Sequence, residues 1–209
     1  MRVDSTVKFF RSGAAICVGL LTLLSIDVGS ADAQISRPGA HDSYAMEIEP
    51  HLVVQWSKEP TCGDEGLGIG GRLSFPVVDN GPIPSINNSL AVGVGLDFAF
   101  FEGDCWGRWQ GQGARGRWDD GEGTSLWVPV DVQWNLFFAK SFSAFMELGL
   151  ALNRQSYTWR DGGGGEYSNS DIDVDLVLWF GGRVHISPTV AFTFRLGYPS
   201  LLLGVSFLL

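Results

Sequence analysis

Residues 90–100, LAVGVGLDFAF, set Leu90, Val92, Val94, Leu96, Phe98 and Phe100 in step, with Ala91, Gly93, Gly95, Asp97 and Ala99 between them. A period of two belongs to a β-strand, whose side chains point alternately to opposite faces. One face here is bulky and apolar. The other is glycine, alanine and one carboxylate, too poor in charge to be the wet side of a soluble sheet. A strand that meets lipid outside and a narrow interior inside has this composition.

The same step of two recurs on both sides of the stretch. Before it, Met46, Ile48, Pro50, Leu52, Val54 and Trp56 alternate with Glu47, Glu49, His51 and Gln55, and Leu67, Ile69, Leu73 and Phe75 alternate with Gly68, Gly70, Arg72 and Ser74. After it, apolar runs begin at Leu126, Met146, Val174, Val190 and Leu201, interleaved with Asp131, Glu147, Asp173, Asp175, Arg183 and Arg195. That makes eight candidate strands and leaves no convincing helix. The odd-to-even connections, at 57–65, 102–124, 155–171 and 198–199, read as rich in Gly and charge, while of the others 139–141 and 187–188 are tight and 78–88 (VDNGPIPSINN) is long but turn-rich. Alternating short and long links are those of an up-and-down membrane barrel with its short turns in the periplasm. The expected fold is therefore all-β, an eight-stranded antiparallel up-and-down transmembrane β-barrel over 45–209. Pro50 and Pro129 fall inside strands and are expected at bulges or strand ends, because proline breaks a ladder.

Upstream, Arg2, Lys8 and Arg11 precede the apolar run 14–26 (AAICVGLLTLLSI), and Ala31-Asp32-Ala33 follows it. These are the three parts of a secretory signal. The run falls short of the roughly 18 apolar residues of a spanning helix. Residues 1–33 are expected to be removed between Ala33 and Gln34, leaving 34–44 as a short periplasmic segment before the barrel.

Composition agrees with a membrane rather than an aqueous surface. Only 18% of residues are charged, lysine occurs only at Lys8, Lys58 and Lys140, and the formal net charge is -9. The signal carries three bases and the three acids Asp4, Asp27 and Asp32, so the mature chain keeps the whole -9. Such acidity argues against nucleic acid as a partner. Parity places Glu47, Glu49, Arg72, Asp97, Asp131, Glu147, Asp173, Asp175, Arg183 and Arg195 on the inner face. Buried charges have to pair, so an ion-pair network filling the lumen is expected, rather than a wide pore.

Cys62 falls in the first long connection and Cys105 in the second, both on the outer side, and export exposes them to an oxidising compartment, so a disulfide between them is expected. Trp106, Trp109, Trp118 and Trp159, placed in the loops, suit an aromatic belt at the membrane interface, with a surface-binding patch as the alternative. No cluster of His, Cys or carboxylates has metal-ligand spacing, and neither a metal nor another cofactor is expected.

The signal, the alternating strands and the terminal VSFLL together resemble the small OmpA/OmpX-like outer-membrane β-barrel proteins of Gram-negative bacteria. That resemblance covers 44–209 and implies outer-membrane lipid as surroundings and recognition of the last strand by the barrel-assembly machinery. In that class an aromatic residue commonly ends the chain; here Leu209 stands last, with Phe207 two residues before it. His185-Ile186-Ser187 resembles the His-x-Ser arrangement of lipid A deacylase, but it sits at a periplasmic turn with His185 facing inward, so no catalytic role is expected. The expected function is a non-enzymatic, monomeric barrel with a structural or surface-interaction role and no external ligand named by the sequence. The alternative is a narrow channel or a carrier of small, possibly hydrophobic compounds.

Overall fold

The computed structural model describes residues 34–56, 65–108, 115–160 and 165–209, apart from the side chains of 103–120, 159–160 and 167. The expected signal and Cys62 lie outside the described residues, as do Trp109 and the side chains of Cys105, Trp106, Trp118 and Trp159.

After a 3-10 turn at Gln34–Ser36 the chain forms β1 (Glu47–Trp56), β2 (Glu65–Val78), β3 (Asn88–Arg108), β4 (Arg115–Ala139), β5 (Phe142–Arg160), β6 (Glu166–Ser187), β7 (Val190–Tyr198) and β8 (Ser200–Leu208). Each strand pairs antiparallel with its neighbours in sequence, and β8 returns to β1 to close the barrel. Closure leaves no free edge around the shared height of the wall.

The alternation decides which side chain goes where. Along β1, Glu47, Glu49, His51, Val53 and Gln55 are buried, while Pro50, Leu52 and Trp56 are exposed. Every strand contributes to an exposed apolar belt, represented in order by Leu52, Ile69, Leu96, Val130, Leu150, Leu176, Phe192 and Leu203, each 46–66% exposed. Water-soluble monomers rarely expose a continuous apolar patch beyond a few hundred Å². Aromatic side chains mark the ends of this belt, with Phe75, Phe138 and Phe207 toward the short turns and Trp56 and Phe100 toward the other end.

Two expectations are corrected. The stretches 102–124 and 155–171 are not loops for most of their length. β3 and β4 stay paired out to Arg108↔Arg115, and β5 and β6 out to Arg160↔Glu166. Beyond the apolar belt both faces of a hairpin can be wet, so no alternation is required there and the strands become invisible to a periodicity test. Nor are Pro50 and Pro129 at bulges or strand ends. Pro50 keeps its place opposite Gly71 and Pro129 opposite Ala151. Pairing lapses on the other side only, between Ile48↔Phe207 and His51↔Gly204 and between Val94↔Val130 and Asp97↔Trp127. A strand residue bonds toward one neighbour at a time, so one proline interrupts one ladder. The register shifts fall elsewhere, at Pro76/Val78, Gly103/Cys105, Phe137/Ala139 and His185/Ser187.

Candidate functional site

The inner face of the barrel is where the charged side chains meet. Inward parity delivers Glu49 and His51 from β1, Arg72 from β2, Asp97 from β3, Asp131 from β4, Glu147 from β5 and Arg195 from β7, all buried. Arg195 Nε donates to both Glu147 oxygens at 3.0 Å, and its Nη1 reaches Glu49. Arg72 Nη1 donates to Glu147 at 3.1 Å and to Asp131 at 3.0 Å, with Nη2 3.7 Å from Asp97. His51 completes the circuit, its Nε2 2.7 Å from Asp97 and its Nδ1 3.5 Å from Glu49. Glu49, His51, Asp97, Arg72, Glu147 and Arg195 thus form a closed ring of contacts across the interior. Ion pairs between buried charges offset their desolvation only when geometry and extra hydrogen bonds are good. Extra bonds are present: Gln133 Nε2 donates to Glu147 at 2.5 Å and Ser206 Oγ to Glu49 at 3.2 Å, with Thr193 Oγ1 2.6 Å from Ser206.

A second tier lies toward the short turns. Arg183 donates from Nε and Nη2 to Glu47 at 2.8 and 2.7 Å, a two-point contact, and also to Asn135 at 2.9 Å and Gln133 at 3.1 Å. Phe145 fills the space between the tiers, with the guanidinium carbons of Arg183 and Arg195 4.3 and 4.8 Å from its ring centre. Toward the other end the filling turns apolar. Trp127, Ala151, Val177 and Trp179 pack together with Tyr198 against them, and Arg72 lies 4.5 Å over the Trp179 ring.

Small residues make room for this filling. A Cβ at Gly70 would collide with His51 and Asp97, and one at Gly181 with the Phe145 ring. The glycines that made the inner face look empty in the sequence are the complement of its large side chains.

The mouth at the short-turn end is covered as well. The Ile35 carbonyl accepts the Asn87 N–H at 2.8 Å, His41 stacks on Phe137 with ring centres 4.1 Å apart, and a His41 ring nitrogen lies 2.6 Å from Asn87 Oδ1. Burial pushes the half-buried Tyr44 phenol up to about 12, with Arg183 opposing that shift and Glu47 adding to it.

Of the residues expected in the lumen network, Glu47, Glu49, Arg72, Asp97, Asp131, Glu147, Arg183 and Arg195 come together in these two tiers. Asp175 is buried apart from them, accepting from Asn153 at 3.3 Å. Asp173 shares the inward parity but is exposed. It lies on β6 above Leu178↔Tyr198, the last β6–β7 pair, where β7 no longer flanks the wall. Sequence reasoning omitted His51, Gln133, Asn135 and Ser206 from the network, although their parity matches that of the acids. Trp127, Trp179 and Phe145 were also missed, because bulk on the inner face runs against the simple rule. His185 Nε2 lies 3.1 Å from Ser143 Oγ, and Ser187 instead contacts Thr189. Ser143 is fully buried, so it presents no nucleophile to a substrate.

No family model matches the chain, and no curated protein matches it. Among solved structures it is similar to the attachment invasion locus protein Ail of Yersinia pestis, seen in complex with the heparin analogue sucrose octasulfate, at 10% identity and a TM-score of 0.47. That match covers 78% of this chain and 96% of the other. It is also similar to Neisserial surface protein A, NspA, at 14% identity and a TM-score of 0.44, covering 79% of this chain and 96% of that one.

Proposed function

We propose that the chain is an exported, integral outer-membrane β-barrel whose interior is blocked by its own side chains, and that it acts as a structural or surface-contacting protein rather than as a pore. The observation that carries this reading is the pairing of an outside-in amphipathicity with the buried ring of Glu49, His51, Asp97, Arg72, Glu147 and Arg195. Apolar belt outside and charge inside is the arrangement lipid requires of a closed barrel. On this reading residues 1–33 are removed at export, bilayer lipid surrounds the belt, and the barrel-assembly machinery engages β8 near Phe207. Cys62 and Cys105 are joined outside the membrane. The carrier alternative would need an opening in the wall beside Pro50 or Pro129. The lapse at Pro50 is backed from inside by the Glu49–Ser206 bond of 3.2 Å, and Pro129 is itself buried.

Cell fractionation with gel mobility tests the placement. The protein is expected in the outer-membrane fraction, migrating differently before and after heating in detergent. A soluble periplasmic protein with a single mobility would overturn the reading. Mass spectrometry with and without reductant is expected to find Cys62 and Cys105 bridged; two free thiols would remove the disulfide from it.

A further inference from the structure

β7 stops at Tyr198, while β6 extends beyond the last β6–β7 pair, Leu178↔Tyr198, as far as Glu166. Past that level the wall is tall on the β5–β6 side and low on the β7–β8 side, so the inner face of β5 and β6 opens sideways. It carries Asp171, Asp173 and Asp175 from β6, with Asn153 of β5 opposite Asp173 in the register. Asp171 and Asp173 are exposed, whereas Asp175 and Asn153 are buried. Below them, toward the short turns, the packed cluster of Trp127, Val177 and Trp179 makes an aromatic floor.

Asn153 shows what this face lacks. It is only 3% exposed; its Nδ2 donates to Asp175 Oδ2 at 3.3 Å, and its Oδ1 accepts no hydrogen bond from any described residue. A buried acceptor left unmatched is uncommon in a folded protein. The nitrogen end of the amide is spent on Asp175, so the oxygen end remains for an incoming group, and only a donor satisfies it. The aspartates beside it require that donor to be positive. A bare metal ion fits poorly, because among the described residues no three His, Cys, Asp or Glu side chains converge to hold one. Residues two apart on one strand face stand roughly 7 Å from each other. A cation that reaches acceptors so spaced carries several N–H groups spread over a plane, which describes a guanidinium. The floor suits the same group, since guanidinium packs on aromatic faces. The barrel already contains such an arrangement lower down, where Arg72 lies 4.5 Å over the Trp179 ring while donating to Asp131 and Glu147.

We propose that this open inner face of β5 and β6 is a binding site for a guanidinium group, with Asn153 Oδ1 and the carboxylates of Asp173 and Asp175 as its acceptors. The group belongs either to a free small molecule or to an arginine side chain of a peptide. The inference deepens the surface-contacting role proposed above and rests on it for the side of the membrane that the site faces.

The test is a titration of the full, folded protein in detergent micelles, followed by nuclear magnetic resonance at the Asn153 side-chain amide and the Trp127 and Trp179 indoles. Nα-acetyl-argininamide is expected to shift these signals saturably, and Nα-acetyl-lysinamide to bind more weakly. Asp173→Asn is expected to weaken the arginine probe by about two- to fivefold, and Asn153→Ala by about tenfold. Asp173 is exposed, so its variant keeps the test valid if the Asn153 variant fails to fold. A pentapeptide of one arginine among glycines distinguishes the sources: tighter binding than the single residue assigns a peptide, and equal binding assigns the guanidinium alone. Absence of saturable shifts, an Asp173→Asn variant that binds as wild type, or equal binding of the lysine probe would overturn the proposal. Calcium chloride reproducing the same shifts would overturn it in favour of a metal site. Because the titration reads the site in micelles and cell fractionation reads the placement, failure of one is distinguishable from failure of the other.

Discussion

Arg195 on β7 and Glu147 on β5 meet inside the barrel with Nε 3.0 Å from both carboxylate oxygens, and both side chains are fully buried. Removing one partner of such a pair leaves a charge buried without compensation, at a cost of about 3–5 kcal/mol. Arg195→Ala is expected to lower the urea unfolding midpoint in lipid by that equivalent, since Glu49 loses a partner too. The double replacement Arg195→Met with Glu147→Leu is expected to recover part of the loss, because the buried charges go together. Additive losses in the double variant would show that the two residues are not coupled.

Neighbouring glycines on β2 separate interior from exterior. A Cβ at Gly70 would meet His51 and Asp97, whereas one at Gly71 would have only a backbone oxygen 3.9 Å away. Gly70→Ala is expected to destabilise by about 1–3 kcal/mol through overpacking, while Gly71→Ala stays near wild type. Equal effects would mean that the inner face is not filled as described.

The apolar belt makes its own prediction. Leu150 is 55% exposed on β5, flanked on β4 and β6 by Val130 and Leu176. Leu150→Arg is expected to cost about 2–4 kcal/mol if that face lies near the bilayer midplane, measured by unfolding from vesicles. On a surface that faced water the substitution would be close to neutral, and that outcome would reject the membrane placement.

Tyr44 supplies a pH dependence from the segment ahead of β1. Its folded value of about 12 exceeds the roughly 10 of a free phenol, so the fold favours the protonated form. The contribution is complete below the unfolded value and is lost as pH rises from about 10 toward 12. The ultraviolet difference titration of wild type against Tyr44→Phe is expected to show one phenol ionising near the upper value. A step centred near the ordinary value would show that Tyr44 is not buried at the mouth.

The barrel was readable from residues 90–100 and their counterparts because an apolar outer belt around a packed interior enforces alternation along every strand that crosses it. Where that pressure ends, so did the signal, which is why 102–108 and 115–124 looked like loop. Parity likewise placed Glu49, Arg72, Glu147 and Arg195 inside, since their faces follow from counting alone. It could not exclude Asp173, because the exposure of that residue depends on where β7 stops flanking β6. Nor could it show which partner each charge takes. Contacts such as His51 with Asp97, 46 residues apart, arise from register, and register is set by pairing across the barrel.

The central claim is that the barrel spans the membrane yet is closed by its own side chains. Planar-bilayer recording on the purified, folded wild-type protein tests it most directly. The expected result is insertion, verified by heat-modifiable mobility of the reconstituted protein, with no sustained conductance across the bilayer. Stable, large single-channel openings from the same preparation would contradict it.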